Sequence, residues 1–327
     1  MIDRRTFVRS AAILGASPML VPVPGRAEAY PSKPVTIIVP FAAGQSGDVL
    51  ARILSEPLGK MWGKSLIVEN KVGAGGAIGS QFVAKAPGDG YTLLLGSSGP
   101  MAIAPNLVKN VGYDPRKDFT PIMNIAGVAQ ALVVPASSKY RSVRDLVADA
   151  KARPDKLSYG SGGNGSTQHL TMEMLKQHAG ISMVHVPYKG TAPAYTDLIG
   201  GQLDVLVDSA PGVVPFLQSD KVRVLAVSTA KRMPSWPNVP TMAESGFPDF
   251  DVLGWLGIVA PQGLSPAIQK RLNDDLKTAL ANDAVKANLA RLGMISLGTS
   301  PEEFGRYIDT ELAKFGDVIR KGGITVE

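Results

Sequence analysis

The sequence predicts an α/β protein of two lobes enclosing a cleft. Three observations predict it. Short β-branched apolar runs alternate with segments of helical periodicity from residue 35 onward. The alternation runs through two successive blocks and closes on a mainly helical tail. The length of 327 residues with 45% hydrophobic content is enough to bury two cores.

The first block begins with Val35–Val39, apolar on both faces, as a sheet strand covered on each side should be. Pro40–Gly47 reads as a loop. From Asp48 a helix carries Val49, Leu50, Ile53, Leu54, Leu58 and Met61 at a period near 3.6, with a kink or break expected at Pro57. Leu66–Val68 is a strand, a Gly-rich loop follows, and a helix covers about 77–85. The Pro87-Gly88-Asp89-Gly90 turn leads into a strand at Tyr91–Leu95. This β-α-β-α-β order requires parallel strands with right-handed crossovers.

The second block repeats the pattern. Ala131–Val134 reads as a strand, and Ser142 with Asp145 forms a capping-box-like pair at a helix start. Leu157–Tyr159 is a strand, and a helix over about 167–178 ends at Gly180. Met183–Val186, Leu203–Val207 and Val222–Val227 supply further strands, with helices between. Trp255–Val259 is a strand returning to the first block, followed by helices at about 266–281, 284–292 and 301–319. The last has Ser300 as its cap, Pro301 in its first turn and Glu303 three residues on. The boundaries expected are 30–130 plus 252–327 for lobe 1 and 131–251 for lobe 2, so two segments cross between the lobes.

Residues 1–29 do not read as part of the fold. A basic start at Arg4-Arg5 precedes a modest apolar stretch over residues 11–23, and Ala27-Glu28-Ala29 offers a cleavage site. This is the pattern of a secretory signal peptide. Arg4-Arg5-Thr6-Phe7 has a twin-arginine look, with an ordinary export signal as the alternative. The expected location is therefore outside the inner membrane, in the periplasm. Removing these residues lowers the net charge from +6 to +4. With no Lys/Arg run, neither nucleic acid nor a membrane patch is an expected partner, while a mild positive field favours anions.

Composition excludes several chemistries. There is no cysteine, which rules out disulfides, thiol catalysis and Cys-ligated zinc. The three histidines, His169, His178 and His185, lack zinc-ligand spacing, and no cofactor or metal is expected. Gly73-Ala74-Gly75-Gly76-Ala77-Ile78-Gly79 has the wrong spacing for a dinucleotide fingerprint, and no acid ends the next strand. Gly63-Lys64-Ser65 leads into a strand rather than a phosphate-binding helix. Ser228-Thr229-Ala230-Lys231 matches a penicillin-recognising motif by chance, without its companion motifs.

Five loops that follow strands and precede helices are expected to open onto one cleft: 40–47, 96–100, 160–166, 188–192 and 208–211. They are rich in Gly, Ser, Thr and Asn and poor in charge. Glycine admits close backbone approach, and helix N-termini supply orphan N–H donors, which suits an anion such as a carboxylate held reversibly. Asp48 sits in a first helical turn, where the helix dipole accounts for it. Asp208 ends a strand at the cleft and either accepts a hydrogen bond from a ligand or orients a loop. Lys189 reads as solvated, and His169 as a packing or loop-bracing residue rather than a base.

Tyr30-Pro31-Ser32-Lys33-Pro34-Val35-Thr36-Ile37-Ile38-Val39-Pro40-Phe41-Ala42-Ala43-Gly44 resembles the mature start of the tripartite tricarboxylate transporter substrate-binding proteins, the Bug family. So do Glu69-Asn70-Lys71, Pro87-Gly88-Asp89-Gly90-Tyr91-Thr92-Leu93, His185-Val186-Pro187-Tyr188-Lys189-Gly190 and Val239-Pro240-Thr241-Met242-Ala243-Glu244-Ser245-Gly246. The resemblance covers essentially the whole chain after residue 29. It implies a class II periplasmic-binding-protein fold with a hinge and a central cleft. It implies a receptor, not an enzyme, that delivers a di- or tricarboxylate, an acidic amino acid or an aromatic acid to membrane transporter subunits. A monomer is expected. The implied ligand-binding residues are Phe41, Ala42, Ala43, Gly44, Gln45, Ser46, Ser98, Asn164, Ser166, Thr167, Tyr188 and Asp208. Two departures bear on ligand choice: Gln45 stands where the family usually has a second glycine, and Ser209 where it usually has asparagine. A periplasmic hydrolase or isomerase using Asp208 and His169 is the enzyme alternative, and a ligand-presenting sensor is a third reading.

Overall fold

The computed structural model describes residues 30–188 and 190–325. The signal-peptide reading of residues 1–29 and the Lys189 side chain lie outside the described residues.

The first block comprises β1 (Val35–Val39), α1 (Ser46–Trp62), β2 (Leu66–Asn70), α2 (Ala77–Ala84), β3 (Thr92–Ser97), α3 (Ala104–Leu107) and β4 (Phe119–Pro135). The second has α4 (Val143–Ala152), β5 (Ser158–Ser161), α5 (Thr167–Ala179), β6 (Val184–Pro187), α6 (Thr191–Ile199), β7 (Val205–Ser209), α7 (Ala210–Leu217) and β8 (Val222–Val227). The tail is β9 (Leu253–Pro261), α8 (Pro266–Ala281), α9 (Asp283–Arg291), β10 (Met294–Ser296) and α10 (Pro301–Gly322).

Strand order explains why two lobes share one continuous sheet. β1 pairs in parallel with β2 and β3, and β3 then pairs antiparallel with β9. β9 lies antiparallel along the first part of β4, from Phe119↔Pro261 to Ala129↔Leu253. From Gln130 onward β4 changes partners and pairs antiparallel with β7 and β8. β5 continues the second half in parallel between β7 and β6. β4 thus runs through both halves.

Sequence pattern fixes which faces are covered. In β1, Val35, Ile37 and Val39 bury against the α1, α8 and α9 side chains, while Ile38 buries on the opposite face with Leu94, Phe304 and Phe315. In β4, Leu132 and Val134 join that second cluster, and Ala131 and Val133 pack with Tyr195, Leu198 and Val213. Apolar burial on both faces supplies most of the driving force for such a sheet.

The structure departs from the sequence reading at two places. α1 continues through Pro57 to Trp62. Leu50, Leu54, Leu58 and Trp62 form a buried stripe on both sides of that proline, and Trp62 Nε1 donates to Asp275 Oδ2 at 2.7 Å. This packing outweighs a proline penalty of about 3 kcal/mol. The strand expected at Ala131–Val134 is the end of the 17-residue β4. Pro121, Asn124 and Gly127 obscure its first part, and the register shifts between Pro121/Met123 and Asn124/Ala126 absorb the irregularity. Both capping boxes form: Ser142 with Asp145 and Ser300 with Glu303.

Candidate functional site

A cavity of about 690 Å³ opens where β4 changes partners, and it takes residues from all five loops. The first loop lines it from Phe41 to Gly47. Ser97 and Gly99 come from the second loop, Gly162 and Asn164 to Ser166 from the third. Gly190 and Ala192 come from the fourth, and Asp208, Ser209 and Pro211 from the fifth.

Helix starts converge here. The N-terminal turns of α1, α5, α6 and α7 all contribute lining residues. The first N–H groups of a helix have no intrahelical acceptor. Gln45, Gly190 and Ser209, which precede α1, α6 and α7, make no side-chain cap bond, so the N–H groups of these first turns, which Pro193 and Pro211 lack, are not capped by their own helix starts. Four positive dipole ends therefore face one volume. No Lys, Arg or His lines it among the described residues.

The first loop is held from below. Asp48, 2% exposed, accepts from Gly44 N–H at 2.9 Å, from Asn70 Nδ2 at 3.0 Å and from Arg52 at 2.9 Å. Asn70 also donates to the Phe41 carbonyl at 2.9 Å. Burial opposes the Asp48 charge, but these donors and the Arg52 cation outweigh it and hold the carboxyl below its ordinary range. Gly44 sits at φ +84°, in the left-handed region that glycine favours. Gly47 packs closely under the wall: a Cβ there would come within 2.8 Å of the end of the Leu95 side chain, which would have to shift.

The opposite wall is organised around Asp208. This residue is 5% exposed. Its Oδ1 accepts from Ser209 N–H at 2.7 Å, while Oδ2 is buried without a partner. Burial pushes the carboxyl up to about 6, against the Ser209 bond and the nearby Gln168 and Tyr195 side chains. Gln130 lines the same cavity from β4. Its Nε2 donates to Val128 O at 2.9 Å, and its Oε1 is buried and unpartnered.

The model of the tripartite tricarboxylate transporter family receptor matches residues 50–324. The chain belongs to this family. BugT of Bordetella pertussis is 35% identical over 304 residues, covering 93% of each chain. Among solved structures, the R. palustris protein Rpa4515, determined with adipate, is 38% identical. It superposes with a TM-score of 0.84, covering 90% of this chain and 99% of that one. The periplasmic binding protein BugD is 35% identical with a TM-score of 0.82, covering 91% of this chain and all of its own. The receptor fold is accordingly the two-lobed α/β fold of periplasmic binding proteins.

Within this family receptor, ten of the twelve residues singled out in the sequence line the cavity: Phe41, Ala42, Ala43, Gly44, Gln45, Ser46, Asn164, Ser166, Thr167 and Asp208. Ser98 and Tyr188 do not. Ser98 is buried beneath the wall, and its Oγ accepts from Trp255 N–H at 3.2 Å. Tyr188 donates to Asp197 Oδ2 at 2.6 Å, tying its loop to α6. His169 also stands behind the wall: its Nδ1 accepts from Gly165 N–H at 3.2 Å, and its ring stacks on His185 at 4.0 Å. His185 reaches Ser161 Oγ at 2.7 Å, and that oxygen accepts from Gly163 N–H at 3.1 Å.

Sequence reasoning missed the lining that comes from the crossing strands: Val128 and Gln130 of β4, and Gly254, Trp255 and Leu256 of β9. Gln130 carried a usable signal, being one amide inside the apolar run from Val128 to Val134. Leu292 and Met294 reach the cavity from the tail and carried none.

Proposed function

We propose that this chain is a periplasmic receptor that captures a small carboxylate in the cavity and delivers it unchanged to the membrane subunits of a tripartite tricarboxylate-type transporter. The convergence of four helix N-termini on one cavity without a described cationic side chain carries this reading. Such a site neutralises an anion with backbone dipoles and N–H donors, and lets it go again. The ligand-holding set is Phe41 to Ser46 on one wall and Asn164, Ser166, Thr167 and Asp208 on the other, with Ser98 and Tyr188 acting behind the wall. The adipate of Rpa4515 supports a carboxylate of that general size.

The lobes of this reading are residues 30–130 with 252–327, and residues 131–251. They close by bending at β4 and β9. Export would follow cleavage near Ala29, and the receptor would act as a monomer with no nucleic-acid partner. Binding rather than turnover is favoured because His169 does not line the cavity and spends its Nδ1 on Gly165. Asp208 therefore has no described base beside it with which to share a proton-transfer step.

The test is a thermal-shift screen of residues 30–327 against dicarboxylates, citrate, acidic amino acids, benzoate and nicotinate. A ligand binding only the folded state at a hundredfold excess over its Kd adds about 2.7 kcal/mol. A clear rise with one chemical class, the ligand being recovered intact, is the expected result. No rise with any carboxylate, or chemical conversion of one, would overturn the reading.

A further inference from the structure

Two amides of the third cavity loop are held from behind the wall by a pair of histidines. Gly165 N–H donates to His169 Nδ1 at 3.2 Å. Gly163 N–H donates to Ser161 Oγ at 3.1 Å, and that oxygen lies 2.7 Å from His185 Nε2. The two imidazoles stack at 4.0 Å, and the Tyr159 ring stacks on His185 at 4.8 Å. His169 grips the loop a second time, since its backbone N–H donates to Ser166 Oγ, the cap of α5, at 3.2 Å. Asn164, Gly165 and Ser166, between these anchors, line the cavity.

This loop depends on its anchors. Gly163 and Gly165 sit at φ +113° and +71°, and glycine has many other conformations open to it. An N–H donates only to a lone pair, so His169 Nδ1 is unprotonated and the ring hydrogen sits on Nε2. Nε2 faces Glu173 Oε1 at 4.0 Å, where a hydrogen is favoured. A proton added at Nδ1 would set two donors against each other. The charged and titratable groups facing the pair are Glu173 and Lys176 of α5 and Tyr159 of β5. Tyr159 Oη and Lys176 Nζ both donate to Glu173 Oε1, at 2.5 and 2.6 Å. Glu173 favours a cation on His169, but burial and Lys176 outweigh it and hold the ring below its ordinary value of 6.5. At neutral pH the acceptor is therefore intact.

Resting on the receptor reading above, we propose that His169 is a positioning residue for the ligand: its unprotonated Nδ1, backed by the His185 stack, holds residues 163–166 in the form that receives the ligand, and a proton on Nδ1 releases the loop and weakens binding. Once freed from Gly165, His169 takes up a proton more readily. Acid therefore favours the released loop, by at most about tenfold per pH unit for one proton. The ligand and the proton oppose each other without touching.

Two variants of residues 30–327 test this. His169→Asn puts an amide oxygen near the place of Nδ1 and cannot be protonated, while His169→Leu removes the acceptor. Amide hydrogen exchange at Gly165, corrected for the intrinsic pH dependence of exchange, reads the loop without any ligand. Wild-type protection should fall about fivefold or more from about pH 7.5 to 5.5, while that of His169→Asn stays within about twofold. His169→Leu should have lost about tenfold or more already at the higher pH. A parallel fall in wild type and His169→Asn, or full protection in His169→Leu, would overturn the inference. Should His169→Leu not fold, wild type against His169→Asn decides. Calorimetry with adipate is the binding arm. At the higher pH His169→Leu should bind about tenfold weaker than wild type, and His169→Asn close to it. At the lower pH wild type should lose about threefold more affinity than His169→Asn, the protonation of adipate itself being common to both. Equal affinities with one shared pH dependence would overturn the role of His169. Failure of adipate to bind any of the three counts against the carboxylate reading, and the exchange arm then decides this inference alone.

Discussion

The carboxyl of Asp208 occupies the space that a side chain at Gly212 would need: a Cβ built on Gly212 collides with Oδ2 and lies only 2.9 Å from the carboxyl carbon. The backbone of Gly212 is not in the left-handed region, so the glycine is there for space, not for conformation. Gly212→Ala should therefore push the carboxylate off its Ser209 bond. We expect ligand affinity to fall at least tenfold, about 1.4 kcal/mol. Overpacking should cost a further 1–3 kcal/mol of stability, roughly the range for added methylenes in a packed site. Calorimetry paired with a denaturant melt separates the two effects, and unchanged affinity would contradict the placement of Asp208.

Asp48 gives a prediction about the first loop and about acid. Asp48→Asn removes the charge that Arg52, Asn70 and Gly44 N–H share, and should cost about 1–2 kcal/mol, since Arg52 is half exposed and screened. The folded carboxyl lies below its ordinary value of 3.8. Its contribution is therefore complete above that pH and disappears as the pH falls through the lower folded value. The wild-type melting temperature should drop more steeply than that of the variant below about pH 4. Parallel acid slopes would show that the clamp does not act through charge.

The stacked histidines behave in the opposite sense from a paired histidine. Burial holds His185 down to about 3, helped by the Lys176 cation and by the neighbouring His169, which would repel a second proton, and burial lowers His169 as well. Both are neutral when folded, whereas the unfolded chain takes up protons near the ordinary value of 6.5. Stability is thus full above that value and is lost as the pH falls from 6.5 toward 3. His185→Gln should flatten melting temperature against pH between 6.5 and 4.5, by up to one proton or about 1.4 kcal/mol per pH unit. An unaltered slope would mean that the pair does not stay neutral.

Ser228 joins the crossing segments. Its Oγ accepts from Gln130 N–H at 2.9 Å and donates to Val252 O, while its own N–H donates to Gln130 O at 2.8 Å. Ser228→Ala leaves the buried Gln130 N–H without an acceptor and should cost about 1–3 kcal/mol in urea unfolding. A change below a few tenths would show that water replaces the hydroxyl.

The helices and the repeating strands were legible because their signals are local. Capping pairs at Ser142 and Ser300 and the Gly180 stop depend on neighbours in sequence. The first loop and the Asn164–Thr167 loop were legible for the same reason, with glycine and hydroxyl residues next to helix starts. What was not legible depends on partners far along the chain. β4 is a strand over residues 119–130 because β9 pairs with it, despite Pro121 and Gly127. Pro57 stays helical because Trp62 docks on Asp275, over 200 residues away. Ser98 and Tyr188 sit in cleft loops, yet their side chains turn back to Trp255 and Asp197, a choice no local pattern encodes.

The Asp48–Asn70 clamp also has a kinetic meaning. Segments that order only on contact slow association and spend part of the interaction energy on lost conformational freedom. Here the Phe41 carbonyl and the Gly44 N–H are already fixed before any solute arrives. Encounter should then be quick and similar for every small acid that fits. Discrimination among them would be expressed in residence time, in how long each stays once the walls have met around it.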